Sequence, residues 1–332
     1  MKRVIAFVTG GYSGEAEVSY KSAVNIEAGL DTSSYDVYRI DITPAEWFHL
    51  TADNRKIKVD KNDFSLLIDG KKIIFEAVLI GIHGTPGEDG KLQGYFDLMN
   101  LPYTSCDAAT SALTFNKRYT VAVAAFAGIH VCHSEHLFLQ ENPDATELAK
   151  RVSLPVFVKP NNGGSSIGMS KVNRKEDLAA AIQKAFKEDD QVLVEEFISG
   201  REFTVGVFRR GKEIIILPIT EIITTKDFFD FEAKYSPGFT DEITPATLDE
   251  SMADKIRQTA KKIYQVFNCN GVVRIDMIYN EASGEPFLLE INTIPGQTAA
   301  SIVPKQVRAM GWTLKQFYSA LIEDALSRAK KS

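Results

Sequence analysis

Two stretches near the end of the chain carry oxygen-bearing side chains at strand spacing. In VVRIDMIY (272–279), alternation puts Arg274 and Asp276 on one face and Val273, Ile275 and Met277 on the other. In FLLEIN (287–292) it puts Glu290 and Asn292 on one face and Phe287, Leu289 and Ile291 on the other. The link NEASGEP is rich in turn formers, so the pair reads as a hairpin. A register centred on Ser283 sets Asp276 opposite Glu290 and Arg274 opposite Asn292. Adjacent carboxylates repel and require a counter-charge. The donors are hard oxygens with no His or Cys nearby, which suits Mg²⁺ or Mn²⁺ better than zinc, with water and phosphate oxygens filling the shell. A solvated face bearing an Arg–Asp ion pair is the other reading, since antiparallel sheets often keep one wet face.

Two further stretches bear on that choice. VKPNNGGSSIGM (158–169) places Lys159 at a strand end before a loop with Gly163, Gly164 and Gly168. Backbone amides of such a loop can approach phosphate closely, and the lysine adds charge. The loop leads into another strand, so it is not a Walker loop. LVEEFISGREF (193–203) sets Glu195, Glu196 and Glu202 around an apolar pair, an arrangement able to bond an adenine edge and a ribose. Ordinary turns and solvent-facing strand ends remain open for each taken alone.

The elements that position these groups read as follows. RVIAFVTGG (3–11) is a buried strand closing in glycines, EVSYKSAVNIEAGL (17–30) a helix and YDVYRIDI (35–42) a strand, which marks a parallel α/β unit. AVLIGIHGTPGEDG (77–90) is again a buried strand running into a glycine-rich loop, and ligands bind at such strand ends. The texture changes near Cys106. Residues 111–129 read as one helix, 155–160 as a strand, 177–189 as a helix, and 191–223 as strand-rich with RRGK as a hairpin tip. Residues 224–246 have no sustained period, which marks a lid or a disordered loop. Helices are expected over 251–268 and near the C-terminus. The expected units are 1–105, 106–205 and 206–332.

The chain has 332 residues, 44% hydrophobic and 25% charged, with net charge −6. That suits a soluble protein of two or three units and argues against a general nucleic-acid binder. Three widely spaced cysteines suggest neither a disulfide framework nor a zinc site. The first residues are too short in apolar content for a signal peptide, and the longest apolar stretch falls short of the ~18 residues of a membrane span, so a cytoplasmic protein without membrane contact is expected.

Taken in order, GGYSGEAEVS (10–19), HGTPGEDG (83–90), KPNNGGSSIGM, VEEFISGREFTV, EAKY (232–235), GVVRIDM and EINTIPG resemble the ATP-grasp carboxylate–amine ligases, and among them the D-alanine–D-alanine ligases. The resemblance runs from about residue 3 to residue 325. It implies an α/β (α+β) ATP-grasp fold, with an N-terminal Rossmann-like parallel sheet domain followed by two α+β subdomains that sandwich ATP. It also implies ATP-driven joining of two D-alanines through an acyl phosphate, for cell-wall synthesis, by a homodimer. By resemblance, Asp276, Glu290 and Asn292 hold two Mg²⁺ (or Mn²⁺) ions. Lys117, Lys159, Ser166 and Lys234 meet ATP, as do Glu195, Glu196, Phe197, Ile198 and Glu202. Glu15, Ser165 and Tyr235 form a triad at the first alanine, with His83 nearby. Arg274 and the Gly296 N–H steady developing charge, and Ser301 and Ile302 take the second alanine's carboxylate. The sequence departs from the pattern at Phe197, where Trp is frequent, and at Thr85, Gln297, Ala299 and Ala300, which put the acceptor preference in doubt. The alternatives are a related ligase with another acceptor and a nucleotide-binding regulatory protein.

Overall fold

A computed structural model describes residues 2–164, 167–224 and 240–329. Three main sheets carry the site. In the first, Arg3–Gly10 runs parallel to both Tyr35–Ile42 and Ala77–Ile80. Ile5 to Val8 are wholly buried, the mark of a strand covered on both faces. The segment between 43 and 76 adds something the sequence reading passed over: the short strands Trp47–Leu50 and Lys56–Lys58 extend this sheet antiparallel. The second sheet is antiparallel, in the order Ser170–Val172, Val156–Pro160, Gln191–Glu196, Ser134–Phe138. Leu178, Ala181, Ile182 and Ala185 of the helix Leu178–Ala185 complete its core. The third runs Thr240–Ile243, Thr220–Thr224, Arg201–Arg210, Val272–Asn280, Glu285–Asn292.

Four expectations are corrected. The 111–129 helix is two helices, Ala108–Phe115 and Lys117–Phe126. Asn116 breaks it by leaving helical geometry and accepting a hydrogen bond from the Tyr119 N–H at 3.1 Å, so it caps the second helix and sets Lys117 at its start. The hairpin pairs Arg274 with Asn292 and Asp276 with Glu290 as read, but a bulge follows, and Met277 pairs with Leu288. The extra residue, Leu289, reverses the expected parity: Leu288 enters the core, while Leu289 lines a cavity. The end of the 224–246 stretch is regular, because Thr240–Ile243 pairs with Thr220–Thr224. Finally, Arg201–Arg210 lies wholly in the third sheet, so the sheet changes at Ser199–Gly200 rather than after residue 205. The expected RRGK tip is there, with Arg210 opposite Glu213 and Gly211 at φ +62°.

The cores cross these divisions. Ala124 and Ile129 pack with Phe203, Val205 and Ile275 of the third sheet. Phe317, Tyr318 and Leu321, on the final helix Leu314–Ala329, pack with Ile5 and Phe7 of the first. No described helix is long and apolar enough to cross a membrane.

Candidate active site

The hairpin Val272–Asn280/Glu285–Asn292 supplies the charged centre. Arg274 grips Asp276 with a fork: Nε donates to Oδ1 at 2.8 Å and Nη2 to Oδ2 at 2.7 Å. Thr204 Oγ1 donates to Oδ1 at 2.5 Å from the neighbouring strand, and Asn292 Nδ2 to Oδ2 at 3.1 Å. Burial works against the Arg274 charge, but Asp276, then Glu290 and Glu88, more than offset it and hold its pKa above the ordinary value. Lys117 Nζ stands 3.8 Å from Glu290 Oε1 and donates to the Gly163 carbonyl at 2.7 Å, which ties the glycine loop to the hairpin.

Two cavities meet at this centre, of about 400 and 440 Å³. Gly163, Gly164, Glu202, Ile222, Asp276 and Glu290 line both. The larger is also lined by Lys117, Lys159, Glu195, Glu196, Phe197 and Ile198. Lys159 and Glu195 form an ion pair on the second sheet, where the carboxylate outweighs burial and raises the lysine pKa. The Glu196 carboxylate points elsewhere and accepts from the Ser153 N–H at 2.7 Å. The Phe197 ring lies under Lys171 Nζ, 4.6 Å from the centroid, a cation–π contact the sequence reading missed.

The smaller cavity gathers Glu15, His83, Arg274, Gly296, Ser301 and Ile302. Glu15 stands before the helix Ala16–Gly29, whose dipole favours an anion at this end. Its carboxylate is wedged between two glycine backbones: a Cβ on Gly84 would come within 2.6 Å of it, and one on Gly164 within 2.8 Å. Both ring nitrogens of His83 are engaged, Nε2 with Ser22 Oγ at 3.0 Å and Nδ1 with the Ile294 carbonyl at 2.8 Å. Burial lowers its pKa to about 4, so the ring is neutral near pH 7. Ser301 Oγ accepts from the Thr298 N–H at 3.0 Å, which leaves it beside, not capping, the helix Ile302–Ala309. Ser165, Ser166, Lys234 and Tyr235 lie outside the described residues.

Comparison with known proteins shows the family. The family models for the D-ala D-ala ligase N-terminus and C-terminus match residues 4–106 and 116–323. The chain belongs to the D-alanine–D-alanine ligase family. The D-alanine–D-alanine ligase of Flavobacterium johnsoniae is 43% identical over 97% of this chain and 99% of its own length. The structure of VanG D-Ala:D-Ser ligase from Enterococcus faecalis superposes with a TM-score of 0.87 at 33% identity, covering 97% of this chain and 99% of that one. A D-alanine–D-alanine ligase from Bacillus anthracis complexed with ATP gives 0.79 at 28% identity, covering 100% and 99%.

Within this family member, both Thr204 and Glu88 belong to the site and went unassigned in the sequence. Glu88 of HGTPGEDG accepts from the Gly84 N–H at 2.8 Å and the Ile294 N–H at 3.2 Å, joining the first-sheet loop to the loop after the hairpin. Desolvation, then the charge of Glu15, pushes its pKa from the ordinary 4.5 up to about 8. An acid between glycines after a buried strand was the available signal. Thr85, a suspected rim residue, instead donates to Asp89 at 2.6 Å.

Glu88 yields a stability prediction. Its folded form keeps a proton that the unfolded chain releases above pH 4.5, so wild-type stability falls as pH rises from about 4.5 through about 8. The slope is at most about 1.4 kcal/mol per pH unit. Glu88→Gln loses one of the two acceptors and costs roughly 1–3 kcal/mol at pH 5, shrinking towards pH 8 because the wild type declines and the amide does not titrate. Urea unfolding at both pH values reads this. A penalty that is constant or grows with pH would contradict the raised pKa.

Proposed function

We propose that the chain joins two D-alanine molecules into D-alanyl-D-alanine at the expense of ATP, for cell-wall synthesis. The observation that carries this is the meeting of two cavities at Asp276 and Glu290. ATP suits the larger one, with its buried Lys159–Glu195 pair, its Phe197 wall and the glycine loop. The amino acids suit the smaller one, with Glu15 for an ammonium and Ser301 and the Ile302 N–H for a carboxylate. A phosphoryl group passing between them crosses the hairpin. The first alanine's carboxylate oxygen bonds to the γ-phosphorus and ADP leaves. The amine of the second alanine, having lost a proton, then attacks the acyl carbon. The tetrahedral species collapses by breaking the carbon–oxygen bond to phosphate.

The chain's own groups serve these steps by position and charge. Lys117 and Lys159 meet phosphate, where electrostatics and alignment dominate phosphoryl transfer. Arg274, aimed by Asp276, balances charge at the junction. Gly296 lines the cavity and its N–H bonds to no group among the described residues, which supports it as the oxyanion donor. By resemblance, Ser165 and Tyr235 complete a triad with Glu15, while Ser166 and Lys234 meet ATP.

Asp276, Glu290 and Asn292 offer only oxygen donors beside the phosphate path, a set that fits Mg²⁺ or Mn²⁺. Such ions, two in number by resemblance, would neutralise phosphate charge there. We place the units at 1–105, 106–200 and 201–332, and the protein in the cytoplasm as a homodimer.

The test is phosphate release from Mg-ATP with and without D-alanine, beside D-serine, D-lactate and L-alanine. Release that needs D-alanine, with equimolar D-alanyl-D-alanine, is expected. Release that instead needs D-serine as acceptor would favour the chemistry named for the Enterococcus faecalis protein. No release with any of them would sink the ligase reading.

A further inference from the structure

Gln297 stands out beside the cavity because it is polar, only 6% exposed, and yet not among the residues lining the cavity. Every polar group of this residue is bonded. Its N–H donates to Ser22 Oγ at 3.2 Å, and its carbonyl accepts from Asn25 Nδ2 at 2.7 Å. Its side-chain Oε1 accepts from the Tyr318 hydroxyl at 3.1 Å. Its Nε2 turns back and donates to the Pro295 carbonyl at 3.3 Å.

The last bond matters most. The Pro295 carbonyl and the Gly296 N–H belong to one planar, trans peptide unit, so they point in opposite directions. Gripping that carbonyl from behind turns the N–H into the cavity and also polarises it, since linked hydrogen bonds strengthen one another. The neighbouring segment is equally held: His83 and Glu88 pin Ile294, and Pro295 has a restricted φ. A single glycine peptide is thus suspended between two anchored ends: Ile294, tied to the loop at His83 and Glu88, and Gln297, tied to the first helix through Ser22 and Asn25 and to the last through Tyr318.

We infer that Gln297, itself held by Tyr318 and Asn25, is the positioning residue that aims the Gly296 N–H at the developing oxyanion. This rests on the proposed role of Gly296. A misplacement of about 1 Å at a reacting centre can cost about a hundredfold in rate, so a loosened peptide has a measurable effect.

The experiment compares Gln297→Met with wild type in kcat, in KM for ATP, and in affinity for a phosphinate dipeptide analogue, whose tetrahedral P–O⁻ mimics the oxyanion. A fall in kcat of about tenfold is expected, with the analogue weakened by the same factor and KM for ATP unchanged. Tyr318→Phe keeps ring and volume and removes one hydroxyl, so it carries the test if the first variant does not fold. Its expected loss is about threefold, again parallel in kcat and analogue affinity. A lowered melting temperature with kcat and analogue affinity within twofold of wild type would overturn the inference, as would equal losses for ATP and analogue. Gly296→Pro removes the N–H itself. If it turns over normally, the Gly296 reading fails. If it is inactive while Gln297→Met and Tyr318→Phe match wild type, only the positioning role fails.

Discussion

Arg274→Lys lowers kcat/KM for D-alanine by roughly 10²–10³-fold while the chain still folds, an effect of the size seen when one oxyanion donor is removed. The charge survives this change, so simple neutralisation of Asp276 is not what is lost. What is lost is the fork. Arginine meets both oxygens of Asp276, at 2.8 and 2.7 Å, and remains planar and rigid while it does so. Lysine can satisfy one oxygen, so Asp276 stays held by Thr204 and Asn292 while the cation is free to leave the junction of the two cavities. The stability cost is that of one strained or missing hydrogen bond to a charged group, roughly 1–3 kcal/mol. Deleting the charge with Arg274→Met is a poorer experiment, since a part-buried, unpaired Asp276 costs about 3–5 kcal/mol and confounds activity with folding. Phosphate release dependent on D-alanine, read beside a thermal melt, separates the two. A loss below threefold would remove Arg274 from the chemistry.

The parts of this site visible in the sequence are those set by local geometry. Strand alternation, with the register of a hairpin centred on Ser283, put Arg274, Asp276, Glu290 and Asn292 on one face, because side chains two residues apart share a face whatever the surroundings. The same rule failed one step further along. The bulge at Leu289 is a property of two paired strands, and nothing in FLLEIN marks where the ladder slips. Asn116 shows the converse: a capping residue was present, but the apolar run on either side masked the break between two helices. Glu88 was hidden for another reason. Its raised pKa and its bond to the Ile294 N–H depend on residues 73 and 206 positions away, Glu15 and Ile294, that only the folded chain brings close. Likewise Thr240–Ile243 is a strand because Thr220–Thr224 offers an edge, not because its own residues demand one.

Glu290→Gln tests the other half of the hairpin and is expected to cut turnover by about a thousandfold at ordinary Mg²⁺, with the Mg²⁺ requirement moved up more than tenfold. The substitution is nearly isosteric. Glu290 sits on the wet side of the ribbon, with 28% of its side chain exposed, and its contact with Lys117 is long, at 3.8 Å. An ion pair of that length and exposure contributes little to stability, so the fold should lose less than about 0.5 kcal/mol. Lys117 also keeps its bond to the Gly163 carbonyl, so the glycine loop stays in place. The loss therefore falls on charge at the junction, where Asp276 is already committed to Arg274, Thr204 and Asn292. Glu290 is the carboxylate of the pair with fewer protein bonds among the described residues, and so the one better able to accept a cation. Rates measured across a Mg²⁺ titration distinguish the outcomes. If high Mg²⁺ restores part of the rate, Glu290 acts through the ion. If the rate is lost and no Mg²⁺ concentration restores any of it, Glu290 touches the reacting groups directly. If the rate equals wild type at limiting Mg²⁺, the hairpin is a solvated face and the cation site lies elsewhere.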